Sequence, residues 1–140
     1  MEKFSKNDSL GWHIAVLSKI MASMLEEELK KFDLKLAYWP TLMLLWEQEG
    51  QTQTDLTNAC QTNHYTTTRV LDKLEVCGLV ERRLDPSNRR VFRIFLTNKG
   101  RDLETPLTKI ATNINNQVLQ KLENKEQKNL LKILKSVNNV

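Results

Sequence analysis

The chain has 140 residues, of which 40% are hydrophobic and 27% charged, and it carries a formal net charge of +4 with only four glycines and three prolines. This composition predicts one folded, mainly helical domain and excludes a disordered or fibrous chain. No apolar run reaches the length of a membrane span and the first ten residues lack a signal-peptide core, so we expect a cytoplasmic protein with no membrane contact.

Cysteine and histidine are too scarce for several kinds of site. Cys60 and Cys77 form no CxxC pair, which is typical of free thiols in a reducing compartment. The two histidines, His13 and His64, are too few for a multi-histidine metal cage. No nucleophile paired with a base and no glycine-rich phosphate loop is visible in the sequence. We therefore expect no catalytic residue, no metal and no cofactor.

The first predicted element is a long amphipathic helix over residues 8–32, where apolar residues recur at three- and four-residue steps. A second helix is predicted to begin at Trp39 and Pro40, because proline suits the first helical turn. Gly50 is the expected end of that helix, because glycine adopts the capping conformation easily.

A third, short helix is predicted to begin at the sequence TQTD, residues 52–55. This pattern is typical of a capping box, in which the Thr52 hydroxyl accepts a backbone N–H from the first turn and the Asp55 carboxylate accepts the backbone N–H of Thr52 in return. The helix is expected to end near Cys60, and the polar residues 61–63 suit a tight turn between helices.

A fourth helix follows over residues 63–77 and is closed by Gly78. Its buried side is defined by apolar spacing at Thr67, Val70, Leu71 and Leu74. In the run of three threonines, Thr67 is therefore predicted to point inward, and Thr66 and Thr68 outward.

After Gly78 the spacing of the apolar residues changes from that of a helix to the alternation of β-strands, which predicts a β-hairpin. VERRL and RVFRIFL alternate in the manner of strands, and DPSN between them is a good type I turn. Residues 80–100 hold six basic and two acidic side chains, so the net charge of the chain is concentrated here. A basic cluster on a hairpin favours a polyanionic partner.

Helical spacing resumes after Thr97, with a kink expected at Pro106, and a last helix begins at about Lys125. The apolar stripe of the helix after Thr97 includes Leu107, Ile110, Ile114 and Val118, and that of the last helix includes Leu130 and Leu134. Together with the first helix, these stripes present more apolar surface than one small lobe can cover. This indicates pairing with a second copy of the chain.

A short helix, a three-residue turn, a second helix and a basic hairpin form the layout of a winged helix-turn-helix. In that layout the second helix offers side chains to base edges in the major groove, and the hairpin arginines follow phosphates or enter the minor groove. The fold class predicted is thus mainly α with a small β-hairpin wing, and double-stranded DNA is the predicted partner.

Three stretches resemble the multiple-antibiotic-resistance regulator (MarR) family of bacterial transcription factors. They are TQTDL at 52–56, TTTRVLDKLEVCGLVERR at 66–83 and DPSNRRVFRIFLTNKG at 85–100. The resemblance implies a single domain over residues 1–140, with a DNA-binding lobe at 36–100 and dimerisation helices at 8–32 and 101–140. It further implies a homodimeric repressor on a pseudopalindromic operator, relieved by a small molecule.

Carried over residue by residue, the resemblance makes residues 63–77 the recognition helix and the hairpin the wing. The DNA-facing candidates are Thr52, Thr54, Asn63, His64, Tyr65, Thr66, Arg69, Arg89 and Arg90. Thr52 and Thr54 would contact phosphates from the positive end of a helix. The family often has a second acidic residue where this chain has Asn88, so the ion pairing that orients the tip arginine would be weaker here or would depend on Asp85 alone.

The family also often binds aromatic or phenolic effectors between its dimer helices and its DNA-binding lobe. The residues that would line such a pocket are Trp12, Trp39, Met43 and Trp46. The alternative is that these aromatic residues are plain core, which is the commoner role of a stripe at helical spacing.

Two other functions stay open at this point. One is a winged-helix scaffold that binds another protein and not DNA. The other is a regulator that senses oxidation through Cys60 or Cys77, since thiol chemistry beside a DNA-reading element would disturb binding directly.

Overall fold

The computed structural model describes residues 3–139, which form seven α-helices, three β-strands and two short 3₁₀ helices. The α-helices are α1 (Leu10–Lys30), α2 (Trp39–Glu47), α3 (Gln53–Ala59), α4 (His64–Val76), α5 (Asn98–Asp102), α6 (Glu104–Leu119) and α7 (Asn124–Asn138). The strands are β1 (Gln51–Thr52), β2 (Val80–Asp85) and β3 (Asn88–Leu96), and the 3₁₀ helices cover Lys6–Asp8 and Leu36–Tyr38. The fold is therefore mainly α with a small sheet, as the sequence predicts.

The chain divides into two compact units, one of residues 26–108 and one of residues 3–25 with 109–139. The predicted DNA-binding lobe, residues 36–100, lies inside the first unit. That unit is built around side chains that solvent does not reach, drawn from α2, α3, α4 and β3. They are Leu42, Leu45, Leu56, Leu71, Leu74 and Ile94. Full burial of one such side chain stabilises a fold by about 1.5–3 kcal/mol, so this cluster is what holds the three helices against the sheet.

The sheet has three antiparallel strands in the order β1-β3-β2, one more than the predicted hairpin. The hairpin itself is confirmed, because β2 pairs with β3 from Val80 opposite Leu96 out to Asp85 opposite Asn88. The added strand is two residues long and pairs Gln51 with Ile94. A strand this short carries no periodicity, so the sequence gives no signal for it.

One predicted helix boundary was wrong, and the kink expected at Pro106 is a break between two helices. Helix α2 ends at Glu47 and not at Gly50, because Gly50 donates its backbone N–H to the Ile94 carbonyl, 2.8 Å away, and leads into β1 with a φ of +79°. After Thr97 the chain forms two helices, α5 and α6, interrupted at Leu103. Pro106 explains the break, since it has no N–H to continue the helical ladder across that turn.

The second unit exposes much of its apolar surface. In the part of α1 that it contains, the exposed apolar residues are Leu10, Trp12, Ile14, Val16 and Ile20. Helix α7 has no buried residue and exposes Leu131, Ile133 and Val137. Among the helices within residues 3–139, none is long and apolar enough to cross a membrane.

One part of the predicted dimer stripe needs correction. Leu107 is completely buried and Ile114 is 6% exposed within the single chain, so neither offers surface to a second copy. Both lie on the inward face of α6. Burial within the single chain explains an apolar residue there as well as a contact with a second copy does.

Candidate nucleic-acid interface

The start of α4 presents a polar face to solvent. Asn63 caps the helix, with its Oδ1 accepting the Thr66 backbone N–H at 2.8 Å. His64, Tyr65 and Thr66 follow and are exposed, Tyr65 by 70%. The cap fixes the direction in which the helix leaves the turn, and so positions these three side chains together.

The threonine run on α4 is divided differently from the prediction. Thr67 is buried, as predicted, and its hydroxyl accepts a hydrogen bond from Thr57 of α3 at 2.8 Å. The outward prediction for Thr68 was wrong, because Thr68 is half-buried and its hydroxyl accepts from Gln53 Nε2 at 2.6 Å. Gln53 therefore ties α3 to α4, a role for which sequence spacing gives no signal.

The capping box at the start of α3 is present as predicted. The Thr52 hydroxyl accepts the Asp55 N–H at 3.1 Å, and the Thr52 N–H donates to Asp55 Oδ2 at 3.0 Å. The backbone donor of Thr52 is thus already used, which leaves its hydroxyl proton for a phosphate. Thr54 is exposed in the first turn of the same helix.

Arg69 lies one turn after Tyr65 on the exposed face of α4. Its guanidinium is 5.6 Å from the centre of the Tyr65 ring, and its NH1 donates to the Tyr65 hydroxyl at 3.3 Å. A cation held over an aromatic face loses less side-chain freedom on binding a ligand than a free one. This pair therefore offers a positioned cation and an aromatic ring side by side.

Two arginines of the basic cluster are held by carboxylates of the same unit. Arg82 donates to Asp72 at 2.8 Å and to Glu75 at 2.5 Å, both on α4. Arg83 is paired with Glu81 on its own strand, and its guanidinium lies 4.2 Å from the centre of the Phe95 ring. These two arginines are engaged within the fold and do not lie free for a polyanion.

Arg93 and Lys99 are also engaged. Arg93 Nε donates to Asp85 Oδ2 and its NH1 donates to the Gly50 carbonyl, each at 2.8 Å. The Lys99 ammonium donates to the Cys77 carbonyl at 3.0 Å. Asp85 thus orients Arg93 and not the wing-tip arginines. Of the two alternatives expected from Asn88, the structure has the weaker ion pairing at the tip.

Arg89 and Arg90 remain at the tip of the wing. Both are exposed, and within residues 3–139 neither guanidinium has a hydrogen-bond or ion-pair partner. Asn88 supports the tip through its Oδ1, which accepts the Arg90 backbone N–H at 3.2 Å. The free positive charge of the hairpin is therefore concentrated at these two side chains.

Asp85 holds the turn of the wing together through an unusually acidic carboxyl group. The Ser87 hydroxyl and backbone N–H donate to its Oδ1 at 2.7 and 2.9 Å, and Arg93 donates to its Oδ2. These bonds from Ser87, with that from Arg93, lower the pKa of Asp85 from its ordinary 3.8 to about 2. A carboxylate whose pKa is lowered by folding stabilises the folded state at pH values above its pKa in the unfolded chain. This contribution disappears as the pH falls through the pKa of the folded state.

We expect Asp85→Asn to destabilise the protein by an amount that depends on pH. The loss relative to wild type should be constant above about pH 5 and should shrink between pH 4 and 2, where the wild-type carboxylate becomes protonated. Urea unfolding of both proteins at a series of pH values measures this difference. A loss that stays unchanged down to pH 2 would show that the charged form of Asp85 is not what stabilises the turn.

A family model described as the MarR family matches residues 34–92, the segment that contains α2, α3, α4 and most of the wing. A MarR transcriptional regulator from Methanosarcina mazei Go1 is 25% identical, with a TM-score of 0.89 over 93% of this chain and 94% of that chain. The chain thus resembles the MarR family in sequence over this segment, and it shares the fold of a MarR transcriptional regulator over nearly its whole length.

Two further structures share the fold of this chain. MepR of S. aureus, in a complex with DNA, is 24% identical, with a TM-score of 0.83 over 94% of this chain and 98% of that chain. BpsR of Bordetella bronchiseptica is 19% identical, with a TM-score of 0.88 over 99% of each chain. At these identities the likeness concerns the fold, so the roles of individual residues have to be argued from this chain.

The four residues predicted for an effector pocket are distributed over both units. Trp39 and Trp46 of α2 meet edge to face with ring centres 5.7 Å apart, and Trp46 Nε1 donates to the Gly100 carbonyl at 3.0 Å. Met43, on the same helix, is exposed. Trp12 lies in the other unit and is exposed. The two α2 tryptophans thus have a structural role, and the pocket stays a prediction.

The two cysteines are free thiols and both are half-buried. Burial raises the pKa of the Cys60 thiol, and a hydrogen bond with Thr41 opposes this only in part. Because the thiolate is the reactive form, a raised pKa makes Cys60 a poor sensor of peroxide. Over the described range 3–139, no cluster of three or more histidine, cysteine or acidic side chains could hold a metal ion.

Proposed function

We propose that the chain is a DNA-binding transcriptional repressor that acts as a homodimer. The observation that carries this proposal is the pair of free arginines, Arg89 and Arg90, at the tip of a wing whose other basic side chains are engaged within the fold. If the charge of the hairpin served solubility alone, any of its arginines could be the exposed and unpaired one. The concentration of free charge at the tip suits a contact with a polyanion.

In the proposed complex the exposed start of α4 enters the major groove. Asn63, His64, Tyr65 and Thr66 would face base edges, and Arg69 would contact a base or a phosphate. The MepR structure supports this assignment, since a protein of the same fold is bound to DNA there. Thr52 and Thr54 at the start of α3 would contact phosphates together with the wing tip.

Dimerisation is supported by the exposed apolar faces of α1 and α7. Isolated apolar residues on a surface are normal, but α7 buries none of its residues while it presents a row of large apolar side chains. A second copy would cover these faces and would bring two recognition helices to a pseudopalindromic site, with half-sites about one helical turn apart.

Relief of repression by a small aromatic effector is the finer part of the proposal. It is supported by BpsR, whose DNA binding is regulated by 6-hydroxynicotinic acid. The raised pKa of Cys60 argues against oxidation sensing through that thiol.

The proposal is tested by binding of the full chain to a random-sequence duplex over a range of salt concentrations. Each phosphate neutralised releases counterions and contributes about −0.9 to the slope of log K against log salt, so we expect a steep negative slope. The stoichiometry of the complex should be two chains per duplex. A slope near zero would favour the protein-binding scaffold, and one chain per duplex would contradict the dimer.

A further inference from the structure

An open groove of about 300 Å³ lies along the side of α4, between that helix and the short 3₁₀ helix that precedes α2. It is lined by Lys35, Ala37, Tyr38, Tyr65, Thr66, Arg69, Val70 and Lys73. We propose that this groove, here called the Lys35 groove, holds the phosphodiester backbone of DNA beside the major groove. The inference rests on the proposed function and adds a third point of contact to the recognition helix and the wing.

The charge of the Lys35 groove is entirely positive. Lys35, Arg69 and Lys73 line it, and no acidic side chain is among the described residues that do. Lys35 and Lys73 are exposed and have no ion-pair partner within residues 3–139, and Arg69 contacts only the neutral Tyr65. Three cations that face one groove repel each other, and an anion between them removes that repulsion.

The carboxylates nearest to Lys73 along the sequence are prevented from cancelling its charge. Asp72 and Glu75 lie on α4 on either side of Lys73, and both would repel DNA if they were free. Arg82 of β2 binds both, at 2.8 and 2.5 Å, and so neutralises them on the wing side of the helix. The role of Arg82 is thus to remove negative charge from α4, which leaves Arg69 and Lys73 as the unpaired charges of its groove side.

The spacing of the cations suits a continuous strand of phosphates. Arg69 and Lys73 are four residues apart on α4, which places them about 6 Å apart along the helix axis on one face. Lys35, which precedes the 3₁₀ helix Leu36–Tyr38, lines the same groove from outside α4. Tyr65 and Thr66, which are predicted to face base edges, also line the groove, so a duplex read by them would bring its backbone to the lysines.

A small free anion is the other source of the same chemistry, and the shape of the groove argues against it. Pockets that bind small molecules bury most of the ligand surface. The Lys35 groove is open, and its cationic side chains are exposed, so a single small anion would stay largely hydrated there. The DNA backbone is already held at other points by α4 and the wing. It therefore gains a favourable interaction with the cations of the groove even though the groove does not enclose it.

The test is the double variant Lys35→Gln/Lys73→Gln of the full chain. We expect the slope of log K against log salt to become shallower by about two per bound chain, because the variant can no longer neutralise two of the phosphates. Random and selected duplexes should be weakened equally, since phosphate contacts carry no sequence information. The matched control is Lys109→Gln/Lys121→Gln, which removes two exposed lysines outside the groove and outside helices α1 and α7. It changes the net charge equally and should leave the slope unchanged.

The outcomes separate the groove from the wider proposal. If wild type shows a steep slope and the groove variant shows the same slope, the groove does not contact DNA although the protein does. If the control variant lowers the slope as much as the groove variant, the effect is one of net charge and the site is refuted. A wild-type slope near zero would instead refute the proposed function.

Discussion

Replacing Gly100 with alanine is expected to destabilise the protein by about 3 kcal/mol, although alanine is ordinarily the better helix former. Gly100 is buried in α5, and a Cβ added there would lie 2.2 Å from the Leu79 carbonyl oxygen and 3.2 Å from a methyl group of Leu96. The nearest atom belongs to the backbone, so no side-chain rotation relieves the clash. The Leu79 carbonyl also accepts the Thr97 N–H at 3.0 Å, so displacing it breaks this hydrogen bond as well.

The opposite sign is expected for the matched substitution Gly11→Ala. Gly11 lies near the start of α1, and an added Cβ would meet only the Ser9 hydroxyl oxygen, at 3.9 Å. Here the intrinsic preference for alanine acts alone and should stabilise the protein by up to about 1 kcal/mol. Urea unfolding at one fixed chain concentration measures both variants. A Gly100→Ala protein as stable as wild type would show that α5 can shift away from Leu79.

The double variant Arg89→Gln/Arg90→Gln should lose most of its affinity for DNA while it remains folded. Both side chains are exposed and bond to no other side chain of the described structure, so their removal leaves nothing unpaired. A charge-assisted hydrogen bond contributes about 1.5–3 kcal/mol, which corresponds to at least about tenfold in affinity for each arginine. The salt slope should also become shallower by about one for each phosphate that the variant no longer neutralises.

Binding to a random and a selected duplex distinguishes the two positions that the wing tip can take. Equal losses of affinity on both duplexes would place the arginines on phosphates, whereas a larger loss on the selected duplex would place them in the minor groove. The variant Lys109→Gln/Lys121→Gln again serves as the control for net charge. An affinity equal to wild type on both duplexes would remove the wing from the interface and with it the main support for the proposed function.

The parts of the fold that could be predicted from sequence are those set by neighbours along the chain. The capping box of Thr52 and Asp55 and the alternation of β3 each depend on residues at most a few positions apart. Such interactions have fixed spacing, so the residue types alone indicate them. The same is true of the exposed start of α4, which follows from the apolar spacing of its buried side.

The parts that could not be predicted depend on partners distant in sequence. The engaged arginines, Arg82, Arg83 and Arg93, belong to the same basic run as the free pair at the wing tip. Only the packed structure separates the two groups. The same holds for the Gln53 contact with Thr68, fifteen residues away, and for strand β1. The Lys35 groove was missed because Lys35 lies in a connecting segment, and its neighbours on α4 become neighbours only after folding.

Strand β1 and the side chain of Arg93 connect the wing to the start of α3. The capping residue Thr52 is itself the end of β1 and lies opposite Arg93, whose guanidinium also binds the Gly50 carbonyl. A hinge between hairpin and helices would have to break this junction before either could swing alone. Any signal that reorients the lobe should therefore move both of its DNA-facing elements in step, which favours switching of the whole lobe over gradual loosening of the wing.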